Sequence, residues 1–330
     1  MEITPEIKEQ ILATAKVLSI PMRTKFRGLT TREVLLFEGP NGWAEWSPFT
    51  EYEDEEASIW LKAAIEWAFG DIPKTDVKTI KVNATLPAVK DVRAALAPFG
   101  KFEVVKIKVA EAGQTLQDDL DRIHQVRERY PDARIRLDAN GNWEIETALK
   151  IAKTIYQENI PLEYLEQPVR TIAEMAELKL KLQEFNIKIA ADESVRKVSD
   201  PLAVAQANAA DILVLKVAPL GGINNALHIA KEAGLPVVVS SALETSVGIS
   251  MGAHLAALLN SEYASGLATA ALLTEDVTDS PLIPINGEIP VTRITPNKNA
   301  LTKLQAPEDR TEWWMERLGL CFRLGALEKS

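Results

Sequence analysis

The sequence predicts a TIM-type (β/α) barrel that follows a smaller α+β domain. The chain has 330 residues, of which 46% are hydrophobic, so it is long enough for about two domains and can bury a large core. From about residue 81 onward, short apolar runs alternate with amphipathic segments, which is the pattern of βα units. Eight such runs fit into about 190 residues, and this density favours a closed parallel barrel over an open doubly wound sheet.

The barrel strands are predicted from near-continuous apolar runs, as expected for parallel strands that are covered on both faces. The runs lie at 79–84, 104–109, 134–138, 162–166, 187–192, 211–217, 236–241 and 264–268. Amphipathic helices are predicted between them at 116–130, 144–158, 172–185 and 223–233. The last of these helices stops at Gly234, a residue type that readily takes the left-handed conformation after a helix.

The residues before the barrel have a different texture. A strand is predicted at 31–38, a turn at Asn41–Gly42, and an amphipathic helix at 55–69. Four of the seven tryptophans fall in this part of the chain, which indicates a compact aromatic core. This region is therefore predicted to be an α+β domain.

These patterns give the domain boundaries. We expect the α+β domain over residues 1–85 and the barrel over residues 86–296. The tail, residues 297–330, contains a predicted helix at 308–318 with two adjacent tryptophans, which need an apolar surface for burial. We expect this tail to pack back on the first domain.

Composition argues against several classes of function. The chain carries 37 Lys and Arg against 47 Asp and Glu, a net charge of −10, which argues against nucleic acid as a partner. We expect a cytoplasmic protein, because no export signal or membrane span is visible and the single Cys321 cannot form an internal disulfide. The three histidines are scattered along the chain, which argues against a histidine-based zinc site.

Ionisable or hydroxyl residues stand at the carboxyl ends of six successive predicted strands. They recur every 24 to 30 residues, as expected when a parallel barrel returns to the same ring. Barrel enzymes keep their active sites on that face. The candidate site residues are Lys106, Lys108, Asp138, Glu166, Asp192, Lys216, Ser240 and Ser241.

The acids of this set indicate a metal site. Asp138, Glu166 and Asp192 follow neighbouring strands, so we expect their carboxylates to converge on one point. Close carboxylates raise one another's pKa unless a cation lies between them, and a hard divalent ion such as Mg²⁺ is held by oxygen ligands of this kind. Asn140 and Glu193 are expected to hydrogen-bond these ligands and orient them. The alternative is that the carboxylates pair with the barrel lysines and bind no metal.

The lysines of the set indicate proton transfer. Lys106 and Lys108 are two residues apart on one strand, so both side chains point to the same face, and Lys216 ends a strand across the ring. A lysine near other cations has a lowered pKa and can act as a base near neutral pH. Lysines on opposite sides of a metal-bound carboxylate can remove a proton from the adjacent carbon, while the metal and a lysine stabilise the charge that forms.

With these residues, the whole chain resembles the enolase superfamily, and within it the muconate-lactonising-enzyme type with Lys-x-Lys on the second barrel strand and lysine on the sixth. Segments 20–28, 42–49, 190–194 and 240–246 are similar to o-succinylbenzoate synthases, and the resemblance covers about residues 14–295. It implies a modified (β/α)7β barrel with a capping domain. The implied reaction is Mg²⁺-dependent removal of water from a cyclohexadiene carboxylate in menaquinone biosynthesis, with Mn²⁺ as a possible substitute.

The resemblance also implies roles for the central residues. Asp138, Glu166 and Asp192 match the metal ligands. Lys108 matches the acid–base group that removes the α-proton and protonates the departing hydroxyl, and Lys216 matches the opposite lysine, which stabilises negative charge.

Substrate binding is implied for a further group of polar side chains. Ser240 and Ser241 match positions that hydrogen-bond substrate, and Lys106 is also expected to bind substrate. Arg136 matches a residue near the succinyl carboxylate, with an ion pair inside the barrel as the alternative. The basic loop 23–27, which ends at Arg27, matches a loop that closes over a dianionic carboxylate substrate.

Related reactions differ at identifiable positions. Dehydratases of the mandelate-racemase type use a late histidine base, but neither His228 nor His254 ends a predicted strand. Dipeptide epimerases carry Asp-x-Asp at the end of the eighth strand, where residues 265–271 contain no acid. N-succinylamino-acid racemases use the same lysines and metal, so this alternative stays open, and a Schiff-base lysine aldolase is a more distant one.

Overall fold

The structure, a computed structural model, describes residues 3–26, 28–196 and 200–327. The chain begins with a helix and an antiparallel sheet in which adjacent strands are consecutive in sequence, followed by a second helix. These elements are α1 (Pro5–Thr14), β1 (Lys16–Phe26), β2 (Leu29–Gly39), β3 (Gly42–Trp46) and α2 (Asp54–Phe69). The predicted strand, turn and helix of this region are therefore confirmed, and Gly42 takes the left-handed backbone (φ 108°) that the β2–β3 turn requires.

The second part of the chain forms a parallel sheet with short strands. Within the described ranges it has seven strands, which neighbour one another in sequence order. They are β5 (Ala84–Leu86), β6 (Val104–Lys108), β7 (Arg134–Asp138), β8 (Leu162–Glu166), β9 (Ile189–Ala191), β10 (Ile212–Leu215) and β11 (Val237–Val239). A preceding strand, β4 (Thr79–Lys81), pairs instead with the antiparallel β12 (Glu288–Pro290).

The predicted strand at 264–268 is present only as two bridges that close the ring. Gly266 pairs with Ser240 after β11, and Ser265 pairs with Val82 just before β5. A Cβ at Gly266 would lie 2.6 Å from Ser240 Oγ and 3.2 Å from Ser240 Cβ, so a larger residue here would require Ser240 to move. The predicted (β/α)7β barrel is confirmed, with a shorter eighth strand than the sequence indicated.

Helices cover the outside of the barrel and form the tail. They are α3 (Val92–Leu96), α4 (Leu116–Arg129), α5 (Ile145–Gln157), α6 (Ile172–Leu182), α7 (Glu193–Arg196), α8 (Ala203–Gln206), α9 (Ile223–Ala233), α10 (Ser246–Leu259), α11 (Lys298–Lys303) and α12 (Glu308–Leu327). Thr115 and Thr171 begin α4 and α6 with capping boxes, which fixes the start of each helix after its strand. Of the described helices, none combines the length and apolar character needed to span a membrane.

The tail helix contacts the first domain through aromatic and charged side chains. Trp314 on α12 packs edge-to-face on Trp46 of β3, with ring centroids 5.3 Å apart. Its indole nitrogen donates to Glu33 on β2 (2.9 Å), which also accepts from Arg310. These contacts agree with the expected packing of the tail, while the boundaries at residues 85 and 296 remain a prediction.

The basic segment 23–27 is mostly strand rather than loop. Residues 23–26 complete β1, which pairs with β2 up to the Phe26–Leu29 register position. Arg27, the residue predicted to contact substrate, lies outside the described residues.

Candidate active site

Most of the predicted site residues line one cavity at the carboxyl end of the barrel strands. The cavity is narrow and partly open to solvent. It is lined by the barrel residues Lys106, Lys108, Asp138, Asn140, Lys216, Ser240 and Ser241, together with side chains that the sequence did not single out, among them Phe49, Arg196 and Thr269. The acids Glu166 and Asp192 are buried beside this cavity.

The two lysines of β6 contact the acids of the next two strands. Lys106 Nζ lies 2.6 Å from Glu166 Oε1 and 3.1 Å from Asp138 Oδ2. Lys108 Nζ lies 2.6 Å from the same Asp138 oxygen and 2.7 Å from Asn140 Oδ1. Lys108, Asp138 and Glu166 are register partners on successive strands, and Lys106, two residues earlier on the same face of β6, reaches the same acids from the layer below.

Asp192 is held on the opposite side by two cations. Lys216 Nζ lies 2.6 Å from Asp192 Oδ2, and Arg196 Nε donates to Asp192 Oδ1 at 2.9 Å. Arg196 stands four residues after Asp192, one turn along α7, so this spacing is the signal by which the sequence could have identified it.

The pKa values of the buried acids differ according to their partners. Burial opposes ionisation of Asp138, but Lys108 and Lys106 outweigh it and hold its pKa below the usual range. Burial likewise opposes ionisation of Asp192, and Arg196 and Lys216 lower its pKa. For Glu166, burial and the negative charge of Asp138 exceed the effect of Lys106 and raise the pKa to about 7.

The pKa values of the buried lysines diverge as well. Burial disfavours the charged form of Lys106, but Glu166 and Asp138 overcome it and raise its pKa. Burial lowers the pKa of Lys216, with Asp192 acting in the opposite direction. The predicted lowering of a lysine pKa therefore occurs at Lys216 and not at Lys106.

The donor set fits a divalent cation, although the three carboxylates do not meet at a single point. Among the described residues, no group of three or more acid, histidine or cysteine side chains is spaced to hold a metal ion, because each carboxylate turns toward a lysine or arginine. Glu166 Oε2, however, is buried with no hydrogen-bond partner within the described part of the chain. Mg²⁺ prefers oxygen ligands, and this carboxylate oxygen without a partner lies beside two further carboxylates, those of Asp138 and Asp192.

The two predicted supporting residues contact each other. Asn140 Nδ2 donates to Glu193 Oε1 at 3.1 Å, and Arg196 donates to the same oxygen at 2.9 Å. Asn140 therefore connects Lys108 to Glu193, across the ring from β6 to the residue that follows Asp192.

The predicted role of Arg136 in substrate binding is corrected by its position. The side chain is completely buried inside the barrel and does not line the cavity. Its guanidinium donates to Glu163 Oε2 (2.5 Å) and Asn83 Oδ1 (2.8 Å), and it lies 4.8 Å from the Tyr164 ring centroid. These partners form the ion pair within the barrel that the sequence left as the alternative, while the Nη2 atom of Arg136 is buried with no hydrogen-bond partner among the described residues.

The serines after β11 face the cavity with different freedom. Ser241 Oγ donates to Gly266 O at 2.9 Å and lies 2.7 Å from Thr269 Oγ1. Ser240 Oγ has a long contact of 3.5 Å to the same carbonyl. Ser240 is therefore the more weakly engaged of the two hydroxyls.

The tip of the β1–β2 hairpin lies at the mouth of the site. Phe26 lines the main cavity, and its ring centroid lies 5.6 Å from Lys108 Nζ. A second, outer cavity shares Phe26, Lys108 and Asn140 with the first and is also lined by Lys25. The hairpin thus reaches the position over the site that the resemblance implied.

A buried ion pair that the sequence did not single out holds the backbone beside Lys108. Arg122 on α4 donates to Lys108 O (3.0 Å) and to Asp119 Oδ1 (2.9 Å). Asp119 Oδ2 accepts from the amide of Ala110, which has left-handed backbone (φ 57°) although it is not glycine. In the sequence, the i, i+3 spacing of Asp119 and Arg122 on an amphipathic helix is typical of an ordinary surface ion pair, so it did not indicate a buried one.

Comparisons with known proteins identify the family of the chain. Residues 88–296 match the family described as enolase C-terminal domain-like, and residues 17–68 match the family described as enolase N-terminal domain-like. An o-succinylbenzoate synthase of Mycobacterium leprae is 47% identical over 96% of this chain and 93% of its own length. One from Mycobacterium ulcerans is 45% identical over 97% of each chain.

Solved structures show the same fold at lower identity. The muconate lactonizing enzyme from Pseudomonas putida has a TM-score of 0.71 at 20% identity, over 88% of this chain and 98% of its own. A 2-chloromuconate cycloisomerase from Rhodococcus opacus has a TM-score of 0.72 at 21% identity, over 89% and 98%. By its family matches and its near-full-length relatives, the chain belongs to the enolase superfamily.

Proposed function

We propose that this chain is an o-succinylbenzoate synthase, a lyase that removes water from 2-succinyl-6-hydroxy-2,4-cyclohexadiene-1-carboxylate in menaquinone biosynthesis. The observation that carries this proposal is the 47% identity to the Mycobacterium leprae enzyme of that name over 96% of the chain. The site geometry supports it, because Lys108 and Lys216 line one cavity from different strands.

Lys108 is the proposed acid–base residue. Its side chain is 12% exposed and its nitrogen is oriented by Asp138 and Asn140, so it reaches the cavity while its position is fixed. In the proposed reaction, Lys108 takes the proton from the carbon next to the carboxylate and gives it to the hydroxyl on the same face. The C–H and C–O bonds break, the ring becomes aromatic, and one water leaves.

Lys216 is proposed to stabilise charge rather than to move the proton. It is buried against Asp192, with Arg196 on the other oxygen of that acid. Negative charge that develops on the substrate carboxylate would be stabilised by the ammonium group in a site of low dielectric constant.

The proposed metal ligands are Asp138, Glu166 and Asp192. Members of this superfamily generally use a divalent metal, and a bound Mg²⁺, or Mn²⁺ in its place, would act as a Lewis acid toward the substrate carboxylate. Lys106, which now contacts Asp138 and Glu166, would balance the negative charge of these acids. Asn140 and Glu193 are proposed to orient this ring through their mutual hydrogen bond.

Substrate contacts are proposed for polar groups around the cavity. Ser240 and Ser241 are proposed to hydrogen-bond the substrate, and Lys106 to contribute positive charge. The contact of Arg27 with substrate remains a prediction from the resemblance. Lys25, a basic residue of the same segment, lines the outer cavity and favours this prediction.

The test is an assay of the purified protein with the cyclohexadiene substrate, with and without Mg²⁺ and with excess EDTA. Loss of turnover in EDTA and its return with Mg²⁺ are expected. Asp192→Asn should abolish turnover and weaken Mg²⁺ binding measured by calorimetry, whereas full activity in chelator would remove the three acids from the metal role.

The racemase alternative is favoured by one feature, the presence of Lys108 and Lys216 in one cavity, where they come from different parts of the barrel. Racemization requires proton exchange on both faces, whereas same-face elimination needs a single base. Lys216→Arg keeps the charge but cannot act as a base near neutral pH, so it should retain part of the dehydration and lose racemization. Rapid α-deuterium exchange of both N-succinylamino-acid enantiomers in D₂O, with negligible dehydration, would establish the racemase instead.

A further inference from the structure

Two buried charged residues of the capping sheet contact a loop of the barrel. Arg32 on β2 is 2% exposed and Glu45 on β3 is 4% exposed, and these strands are adjacent. Both side chains reach the segment after β11, residues 240–245, which we term the 240–245 loop. Charged side chains are seldom buried without directional partners, so their contacts need a specific explanation.

Arg32 binds the backbone of this loop through its guanidinium. Its Nε donates to Leu243 O at 3.1 Å, and its Nη2 donates to Ala242 O at 3.3 Å and to Ser47 O. The guanidinium also lies 4.5 Å from the ring centroid of Phe49, a residue that lines the cavity. One planar group thus joins two carbonyls of the barrel loop to the segment that follows β3.

Glu45 binds the other end of the loop, where α10 begins. Its Oε2 accepts from Thr245 Oγ1 (2.6 Å), Thr245 N (3.0 Å) and Gly248 N (3.1 Å), while Oε1 accepts from Ser47 Oγ (2.7 Å). Gly248 makes this approach possible, since a Cβ there would lie 2.5 Å from Glu244 Cβ and 3.0 Å from Glu45 Oε2.

The backbone at the Arg32 contact is in a conformation that leucine rarely adopts. Leu243 has φ 64°, in the left-handed region, at a cost of order 1 kcal/mol or more for a residue other than glycine or asparagine. Ala242 and Leu243 both line the main cavity, on the side that also carries Ser240 and Ser241. The conformation of this loop therefore decides the shape of one wall of the site.

We propose that Arg32 and Glu45 are positioning residues of the capping domain that hold the 240–245 loop with Leu243 in its left-handed conformation, and so shape the substrate-binding wall. They lie outside the cavity and act through the loop. The inference rests on the proposed function for its kinetic readout only. It also relates two segments that the sequence singled out separately, 42–49 and 240–246, as the two halves of one contact.

A neighbouring contact of β2 joins two elements without reaching the cavity loop, and so provides a comparison. Glu33, next to Arg32 on β2, accepts from Arg310 and Trp314 of the tail helix. That contact joins the capping sheet to the tail and does not involve the 240–245 loop. Glu33→Gln is therefore the control, because it weakens a charged contact of the adjacent residue on the same strand without touching the 240–245 loop.

The kinetic test compares Arg32→Lys with this control. Lysine keeps the positive charge but lacks the planar fork that bonds two carbonyls at once. Because displacements of about 1 Å at a site can cost up to about 100-fold in rate, we expect kcat/KM to fall about 10- to 100-fold in Arg32→Lys, chiefly through KM. Glu33→Gln is expected to keep kcat/KM within about 2-fold, and equal losses in both variants would overturn the proposal.

Rescue through the loop backbone gives a readout that a purely structural role would not produce. Glycine takes φ 64° without strain, so Leu243→Gly lowers the need for a clamp. The fold-loss caused by Arg32→Lys should therefore be several-fold smaller in the Leu243→Gly background than in the wild type. Independent, multiplicative losses would contradict the proposed action through Leu243.

Hydrogen exchange tests the same inference without any enzymatic activity. The amides of Ala242, Thr245 and Gly248 are expected to exchange at least 10-fold faster in Arg32→Lys than in Glu33→Gln. If Arg32→Lys does not fold, Glu45→Gln replaces it, because it removes the charge and one acceptor at the Thr245 end. Unchanged exchange in a folded clamp variant overturns the inference, whereas absent dehydration by the wild type would instead overturn the proposed function.

Discussion

Two walls of the cavity are held in the same manner but from different parts of the chain. Beside Lys108, Arg122 donates to a backbone carbonyl and its partner Asp119 fixes the left-handed Ala110. Beside Ser240 and Ser241, the left-handed residue is Leu243, and the arginine that binds its carbonyl is Arg32 of the capping sheet. Arg122 acts over 14 residues of sequence, whereas Arg32 acts over 211.

The difference shows which domain positions which part of the proposed site. The barrel holds the backbone of the proposed acid–base lysine with its own helix α4, and the capping domain adds only the ring of Phe26, 5.6 Å from Lys108 Nζ. The proposed substrate-binding wall is held from the capping domain. Changes in the capping sheet should therefore affect which molecule binds more than whether a proton can be moved.

The largest expected effect is at the catalytic residue of the first wall. Lys108→Ala should lower kcat for dehydration by at least about 10²–10⁴-fold, because it removes the proposed acid and base together. The free energy of unfolding, measured by urea denaturation, should change far less than the activation free energy that corresponds to this loss of kcat. Lys150→Ala, an exposed lysine on α5, is the control, and retention of substantial kcat in Lys108→Ala would transfer the base to another residue.

The next effect concerns the barrel's own clamp. Arg122→Met leaves the buried Asp119 without its cation, and breaking a buried pair in this way costs about 3–5 kcal/mol of unfolding free energy. We also expect kcat to fall more than KM rises, since the carbonyl of Lys108 is released. Arg129→Met on the exposed side of the same helix should change neither quantity. An Arg122→Met enzyme that is destabilised but has wild-type kcat would refute the positioning of Lys108.

The capping-domain clamp should appear in the pH dependence of stability. Burial and the nearby Glu244 raise the pKa of Glu45 to about 7 in the folded protein, with Thr245, Ser47 and Arg32 acting against this shift. Between pH 4.5 and 7, the folded state then holds a proton that the unfolded state has lost. The contribution of this group is therefore fully present below pH 4.5 and is lost as the pH rises through 7, by up to about 3 kcal/mol.

The measurement is the free energy of unfolding at pH 5 and at pH 8 in the wild type and in Glu45→Gln. The fall in stability from pH 5 to pH 8 should be smaller in Glu45→Gln, because the amide does not titrate. Identical pH profiles in the two proteins would show that Glu45 does not hold a proton in this range.

The sequence predicted what depends on local pattern. Asp138, Glu166 and Lys216 each end an apolar run, so hydrophobicity and spacing were sufficient to place them on one face of a barrel. The same reasoning failed for Arg136, which lies one layer deeper on the same side of its strand, because a period of two gives the face of a strand but not the height along the barrel axis.

Residues that act across the two domains could not be found in this way. Nothing in the local pattern around Arg32 or Glu45 distinguishes them from ordinary polar residues of a half-exposed sheet. Their partners lie about 200 residues away, and their burial follows from docking of the domains. By contrast, the contacts of the three acids with Lys106, Lys108 and Lys216 match the pairing that the sequence left open as the alternative to a shared metal site.

The smallest expected effect tests whether the tail shares in shaping the site. Trp314→Phe keeps an aromatic ring against Trp46 but removes the indole N–H that donates to Glu33 at 2.9 Å. A hydrogen bond to a charged group contributes about 1.5–3 kcal/mol, and Arg310 still engages this carboxylate, so we expect a loss of about 1 kcal/mol in unfolding free energy. Because none of these contacts reaches the 240–245 loop, kcat and KM should stay at wild-type values in a steady-state assay. A rise in KM comparable to that of Arg32→Lys would mean that the tail, through β2, is part of the clamp.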